Sequence, residues 1–310
     1  MSAIIPKVTK LSERVIRVLG CNPGPFTLQG TNTYLVGTGD NRVLIDTGEN
    51  NNKEYISTLK DVLQKNQIKL SNIIITHWHD DHIGGLLSVL GLSNVPSNCK
   101  VLKFKNDAND ITDSRLTYEY LKDQQTIEVD DKTTLRVFHT PGHTEDHAVL
   151  LLNEDKTLFS GDCILGEGSA VFEDLRDYLN SLQIISSLKP DIIFPGHGPA
   201  VAKPEEKILE YINHRLAREK QILDCIGSAK SESGITIQEI VSIIYKVNLE
   251  IMSFTDQNSH EINFQLQDTP KHLHMAAASN VSHHLYKLLK DEKIGKELDL
   301  YLPQNHQAFD

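Results

Sequence analysis

Residues Thr76–Gly85 read THWHDDHIGG and follow directly on the apolar run NIII at Asn72–Ile75, so three histidines and two aspartates crowd into ten positions. A short run of branched apolar residues that breaks into polar ones predicts a buried strand opening into a loop. His77 and His79 are two apart, so their side chains share one face wherever the backbone stays extended. Asp81 and His82 follow at once, as a tight loop presents them. Neutral imidazoles and carboxylates suit borderline divalent metals such as zinc. A single catalytic zinc takes three protein ligands and a water. The decapeptide by itself offers more than three, which points to two ions.

Other segments extend the pattern. His143 in TPGHT, Asp162 in FSGDC and His197 in FPGHGP each sit at the end of an expected strand beside a glycine. Glycine lets the backbone turn sharply there and brings each side chain onto a common rim.

Up to about residue 200 the chain alternates strand-like runs with turn signals. RVIRVLG, NTYLVGTG, RVLIDTG, SNIIITH, LRVFHTPGH, AVLLLNED, TLFSGDC and DIIFPGHG are the predicted strands. Between them, residues 54–64 place Tyr55, Leu59, Val62 and Leu63 on one helical face, and residues 181–188 do the same with Leu182, Ile185 and Leu188. The alternation indicates a layered α/β fold. A change of texture at PGHGP divides the chain into an expected domain of residues 1–202 and a helical one of residues 203–310.

In the second part, Pro204 opens a helix with Glu205 and Glu206 in its first turn, suited to the helix dipole. Ile208, Leu209, Ile212, Leu216, Leu223 and Ile226 form the expected buried stripe, and Gly227 the stop. Thr236-Ile-Gln-Glu239 is a capping-box signature ahead of Ile240, Ile243 and Ile244. Residues 248–268 are polar and predicted to be a loop. A last helix near 271–290 turns Val281, Leu285 and Leu288 inward, with Ile294 and an expected strand beyond it. Three helices followed by a strand resemble a winged-helix module.

Composition narrows the class. With 39 % hydrophobic and 24 % charged residues, the chain reads as an ordinary globular protein. No apolar stretch approaches the roughly 20 residues of a spanning helix. The formal charge of −11 argues against non-specific nucleic-acid affinity through the global field. Bound divalent ions lie outside that sum, so a locally positive site is compatible with it. Cys21, Cys99, Cys163 and Cys225 form no CxxC pair, which disfavours a disulfide framework or thiolate zinc site and favours a reducing compartment. The N-terminus carries Lys7, Lys10, Arg14 and Arg17 without a long apolar core, so no secretory signal is expected.

The set HWHDDH (77–82), PGHT (141–144), GDC (161–163), PGHG (195–198) and LIDTG (44–48) resembles the metallo-β-lactamase fold superfamily. That resemblance implies a four-layer αββα sandwich with a small helical, winged-helix-like C-terminal domain. It also implies that His77, His79 and His143 hold one zinc, that Asp81, His82 and His197 hold a second, and that Asp162 bridges both. Mn2+ or Fe2+ could occupy the same sites. Asp46 is expected to position ligands rather than bind metal, and Asp80 to be a solvated or loop-capping residue. GCNPGPFTLQGTNTYLVGTG (20–39) and FSGDCILGEG (159–168) are similar to the beta-lactamase-like protein 2 group, described as mitochondrial single-strand endoribonucleases. This likeness implies a single-stranded RNA substrate, catalysis in which Asp81 orients the nucleophile, and a mitochondrial matrix location, with cytoplasm as the alternative. No membrane or protein partner is indicated, and a homo-oligomer stays open.

Two other functions compete. A thioester hydrolase similar to glyoxalase II shares HxHxDH, although that family's glutathione-binding tail motif is not found. A non-enzymatic nucleic-acid-binding protein would make the metal core inert, yet inert relatives lose ligands and none is missing here. The remaining histidines have blander readings. His147 is expected to support the loop, His139 to pack in its strand, and His283, His284 and those of KHLH (271–274) to lie on a surface or domain contact. Cys163 is read as a small buried residue rather than a nucleophile. Lys203, Lys207, Arg215, Arg218, Lys220 and Lys230 could track RNA phosphates, but interleaved glutamates equally fit a solvated helix face.

Overall fold

The structure is a computed structural model and describes residues 4–228, 234–245 and 271–295. The chain divides into two compact units, residues 1–211 and 212–310.

The first unit is built on two sheets. The larger contains β1 (Val8–Lys10), β2 (Val15–Leu19), β3 (Asn32–Val36), β4 (Asn41–Ile45), β5 (Lys69–Ile74), β6 (Lys100–Lys103) and β7 (Tyr118–Tyr120), in that spatial order. Strands β1 to β4 pair antiparallel and β4 to β7 pair parallel. The smaller sheet runs, from one edge to the other, β12 (Ile192–Pro195), β11 (Thr157–Gly161), β10 (Ala148–Leu152), β9 (Thr133–His139) and β8 (Thr126–Asp130). Its pairs are antiparallel except the parallel β11–β12. All eight expected strands are present. The sequence reading missed β1, β6, β7 and β8, which are short or edge elements whose apolar alternation is interrupted by charge, as in KVLK and TIEVD.

Residue alternation explains the layering. Tyr34, Val36, Val43, Ile45 and Ile74 face Leu135, Val137, Leu150, Phe159 and Phe194 of the other sheet in one core. Their neighbours Leu35, Leu44 and Ile73 point the opposite way, into a second core. There they meet Tyr55, Leu59, Val62 and Leu63 of α1 (Lys53–Lys65), the residues expected from its spacing, and Leu86 and Val89 of α3 (Leu86–Leu90). Asn52 caps α1 by accepting from the Tyr55 N–H. Strands buried on both faces are apolar throughout, hence runs such as NIII. Helix α4 (Leu175–Leu188) starts earlier than its pattern, where Asp174 caps it by accepting from the Arg176 and Asp177 N–H groups. It buries Leu175, Tyr178, Leu179, Leu182 and Ile185. Two sheets flanked by helices are the architecture the resemblance implied.

Helix α5 spans Pro204–Ser228, so Gly227, the expected stop, lies one residue before its last described residue. Its buried face includes Ile208, Tyr211, Arg215, Glu219, Ile222 and Cys225, whereas Leu209 and Leu216 of the expected stripe are exposed. Hydrophobicity alone rejects Arg215 and Glu219. In the second unit, however, Glu219 accepts from Lys287 Nζ at 2.6 Å and from Lys293 Nζ at 2.9 Å, so its charge is paired where it is buried. Helix α6 (237–245) opens on the expected capping box. Thr236 N donates to Glu239 Oε2 at 2.8 Å and Glu239 N to Thr236 Oγ1 at 3.3 Å. Ile240 and Ile244 join Ile222, Val281, Leu285 and Leu288 in the core of this unit, while Ile243 is exposed. Helix α7 spans Lys271–Lys290. The expected loop at 248–268 and the strand beyond Ile294 lie outside the described residues, as do Lys230 and the side chains of KHLH. His284 is fully buried rather than on a surface, and burial, then the Arg215 and Arg218 charges, push its pKa down to about 3. Among the described residues no helix is long and apolar enough to cross a membrane.

Phe159 is nearly inaccessible and contacts Tyr34 at 5.1 Å and Phe194 at 5.9 Å between ring centroids. Phe159→Ala should lower unfolding free energy by about 3–5 kcal/mol, read as a fall in urea midpoint at unchanged slope.

Candidate metal centre

The loops that leave the C-terminal ends of β4, β5, β9, β11 and β12 carry Asp46, residues 76–82, His143, Asp162 and His197. Asp81 and His82 lie in the single turn of α2 (Asp80–Ile83), which hands them on immediately after His77 and His79. Close approach is permitted by Gly196, where a Cβ would fall 2.2 Å from Asp162 Oδ1 and displace that carboxylate.

These side chains form two trios. His77 Nε2 lies 3.0 Å from His79 Nδ1, and His143 Nε2 lies 3.1 Å from the same atom and 3.3 Å from His77 Nε2. In the second trio Asp81 Oδ2 is 3.2 Å from both His82 Nε2 and His197 Nε2, which are 3.3 Å apart. Asp162 lies between the trios: Oδ1 is 3.4 Å from His82 Nε2, and Oδ2 is 3.2 Å from His197 Nε2 and 3.8 Å from His143 Nε2. All seven sequence-predicted ligand positions are therefore brought together.

Hydrogen bonds behind the rings decide which atoms carry protons. His143 Nδ1 donates to the Val171 carbonyl at 2.8 Å, so its Nε2 presents a lone pair. Thr76 spends its hydroxyl proton on Asp46 Oδ2 at 2.9 Å and therefore accepts from His77 Nδ1 at 3.0 Å, leaving His77 Nε2 bare. His82 Nδ1 donates to Asp46 Oδ2 at 2.8 Å. In the first trio the Nε2 lone pairs of His77 and His143 thus face each other at 3.3 Å, an arrangement that a cation relieves. The buried Asp162 Oδ1 has no hydrogen-bond partner, which adds to the same demand. Nitrogen and carboxylate donors in trios fit zinc or a similar divalent ion.

The titration tendencies agree. Burial, with the neighbouring histidines His82, His79 and His143, holds His77 well below its ordinary pKa, and burial with His143 lowers His79 to about 3. Burial also lowers His143, so this trio is neutral and ready to ligate. In the second trio burial is outweighed. Asp81 and Asp162 raise His82 well above its usual value, and Asp162 raises His197 to about 9. Against the desolvation that opposes it, Asp162 is held well below the carboxylate range by His197 and His82, and Asp81 is lowered chiefly by His82. The carboxylates draw positive charge to this end of the site, as protons here and as metal where metal is bound.

Asp46 lies behind the ligands, as expected of it. His147 holds the Asp162 loop, since its Nε2 accepts from Asp162 N at 3.1 Å while Nδ1 faces Thr140 Oγ1 at 2.9 Å. Asp80 is exposed and faces Asn50 N at 3.5 Å, away from the trios. His139 hydrogen-bonds the Glu145 carbonyl and stacks on Phe104. Cys163 is buried, and burial pushes its thiol far up, which rules it out as a nucleophile. Lys203 and Lys207 pair with Glu206 and Glu210. The sequence reading missed Thr76 and Thr31, whose hydroxyls address Asp46 and Asp81. An isolated threonine carries no spacing signal.

Comparison with known proteins agrees with this geometry. Residues 26–197 match the family model of the metallo-beta-lactamase superfamily, and residues 267–299 match the beta-lactamase associated winged helix domain. The chain belongs to the metallo-beta-lactamase superfamily, as a hydrolase of that class with a C-terminal helical winged-helix domain. Among relatives, it is 46 % identical over 298 residues to a Drosophila melanogaster protein named beta-lactamase-like protein 2 homolog, covering 94 % of this chain and 93 % of that one. It is 38 % identical to an atrochrysone carboxyl ACP thioesterase of Aspergillus chevalieri, covering 78 % and 76 %. A beta-lactamase domain protein from Burkholderia ambifaria superposes with a TM-score of 0.70 at 17 % identity, over 93 % of this chain and 89 % of that one, which shows a shared fold.

Asp46→Ala removes the acceptor that fixes His82 and, through Thr76, His77. Zinc affinity should fall about 10–100-fold, measured by competition with a chromophoric chelator, while Asp80→Ala should bind zinc like wild type.

Proposed function

We propose that the protein is a zinc-dependent endoribonuclease that cleaves single-stranded RNA. The observation that carries the chemistry is the pair of trios joined by Asp162, which fits two divalent ions side by side. Two such ions supply Lewis acidity and an acidified water at neutral pH. The residues of the chain do the rest. His77, His79 and His143 would hold one ion and Asp81, His82 and His197 the other, with Asp162 placed between the trios. Asp81 is the most exposed of the second trio and Asp162, with 23 % of its side chain accessible, and orients the attacking water by accepting its hydrogen bond. In-line attack at phosphorus then displaces a ribose oxygen, whose proton comes from solvent.

Support for RNA comes from the likeness to the beta-lactamase-like protein 2 relatives over most of the chain and from the associated winged helix domain. On the same likeness we place the protein in the mitochondrial matrix, a location to be tested by fractionation. A thioester hydrolase is the second reading, favoured by the relative named as a thioesterase. The same centre would then hold the oxyanion formed by attack at a carbonyl carbon.

One experiment separates them. Unstructured RNAs and acylglutathiones are offered to wild type, Asp81→Ala and Asp80→Ala, with metal content measured. RNA cleavage should fall about 10²–10⁴-fold in Asp81→Ala and stay near wild type in Asp80→Ala. Zinc-loaded protein that releases thiol but leaves RNA intact decides for the thioesterase.

A further inference from the structure

Asp81 is the least constrained of the residues in the second trio. Its side chain is 23 % accessible, against none for His82 and 2 % for His197. Packing therefore leaves its rotamer free to swing towards water, yet Oδ2 sits 3.2 Å from both imidazoles. Besides its pairing with those imidazoles, a further side-chain contact reaches that oxygen. Thr31, fully buried just ahead of β3, places Oγ1 2.8 Å from that same oxygen.

The direction of this bond follows from its neighbours. The Thr31 N–H can only donate, and it reaches Asn22 Oδ1 at 2.9 Å. That fixes the Asn22 amide with Nδ2 as the donor to Thr31 Oγ1, at 3.0 Å. Thr31 thus accepts from Asn22 and has its own proton to give to Asp81. Amide, hydroxyl and carboxylate form a one-way relay. The backbone around it is equally fixed. Gly20 N donates to the Thr31 carbonyl at 2.6 Å, and a Cβ on Gly20 would come within 2.8 Å of Asn22 Oδ1. On the other side Thr31 forms a β-bridge with His197, and Asn32 donates its N–H to the Gly196 carbonyl at 2.7 Å and its side-chain amide to the Pro195 and Gly198 carbonyls. One residue is therefore tied by backbone to His197 and by side chain to Asp81.

We propose that Thr31, aimed by Asn22, is a positioning residue that presets Asp81 against His82 and His197 and so sets the affinity of the second metal site alone. This rests on the metal reading above. A donor placed on a ligating carboxylate oxygen fixes its orientation before the ion arrives, and loss of such a partner costs about 10–100-fold in affinity. The first trio has no contact with Thr31 in the structure and should be indifferent to it.

Zinc titration of the metal-stripped full chain tests this, with His197→Ala marking which equivalent belongs to the second site. Wild type should take up two equivalents. Thr31→Val keeps the volume and the backbone bonds and loses only the hydroxyl. It should bind the equivalent missing in His197→Ala about 10–100-fold more weakly, with the other equivalent and the melting temperature unchanged. Thr31→Ser should restore it, and Asn22→Ala should weaken it in the same sense. Wild-type affinity for both equivalents in Thr31→Val overturns the proposal. So does parallel loss of both equivalents with a lowered melting temperature that serine does not rescue. Wild type that takes up no zinc overturns the metal reading itself, and this inference with it.

Discussion

The Asp46 carboxylate ties the two halves of the centre together. It accepts from the Thr76 N–H at 2.8 Å, the Thr76 hydroxyl at 2.9 Å and His82 Nδ1 at 2.8 Å. Through His82 it governs the second trio, and through Thr76 and His77 it governs the first. Both histidines are thereby turned with their Nε2 atoms towards the site before any ion binds. The arrangement has a backbone cost. Asp46 adopts φ +59, a left-handed conformation sparsely populated by residues other than glycine, although aspartate tolerates it better than most. Such strain persists only where surroundings over-determine it, and three donors to one buried carboxylate do so. Thr47 secures the other side, with its N–H and hydroxyl both directed at the His82 carbonyl.

From that point the fold can be followed outward. Asp46 must lie at the end of β4 and Thr76 just past the end of β5, which places these two strands parallel and adjacent. The same logic holds in the other sheet, where parallel β11 and β12 end side by side at Asp162 and His197. A register shift between Phe159 and Gly161 at the end of β11 re-aims the chain towards the centre. Face-to-face packing of the sheets through Tyr34, Phe159 and Phe194 then brings the two rims together. The apolar core thus sets the distance between donors that come from different sheets.

Much of this was legible in the sequence. Metal ligation leaves a dense signal because it needs particular side chains at sharp turns, so the HxHxDH cluster, three histidine or aspartate residues beside glycine at other strand ends, and the resemblance they carry together pointed to the seven convergent positions. The apolar runs of β3, β4 and β5 likewise marked them as strands. What was hidden shares a physical cause. Charged residues that are buried and paired, such as Glu219 with Lys287, look like surface to a hydrophobicity pattern. Hydroxyl groups such as Thr31 and Thr76 act through a single hydrogen bond to a residue far along the chain, which no local spacing reveals. Edge strands such as β7 have one neighbour and little burial, so their composition is that of loops.

The division between legible and hidden residues bears on substrate choice. A centre with two such trios would serve a phosphodiester and a thioester alike, because both reactions need an acidified water and relief of negative charge at the attacked centre. The seven converging side chains therefore define the reaction type and leave the substrate open. Net charge does not select RNA either, since at −11 the long-range field opposes a polyanion. That field is screened within about 8 Å at physiological ionic strength, so attraction has to come from the centre itself and from groups within that distance. Among the described segments, the 20–31 connection touches the centre directly, through Thr31 on Asp81. It also carries Phe26, 72 % exposed, at a position no core residue needs. The 20–31 connection therefore reaches the centre from outside the motif, through a threonine that a motif search passes over.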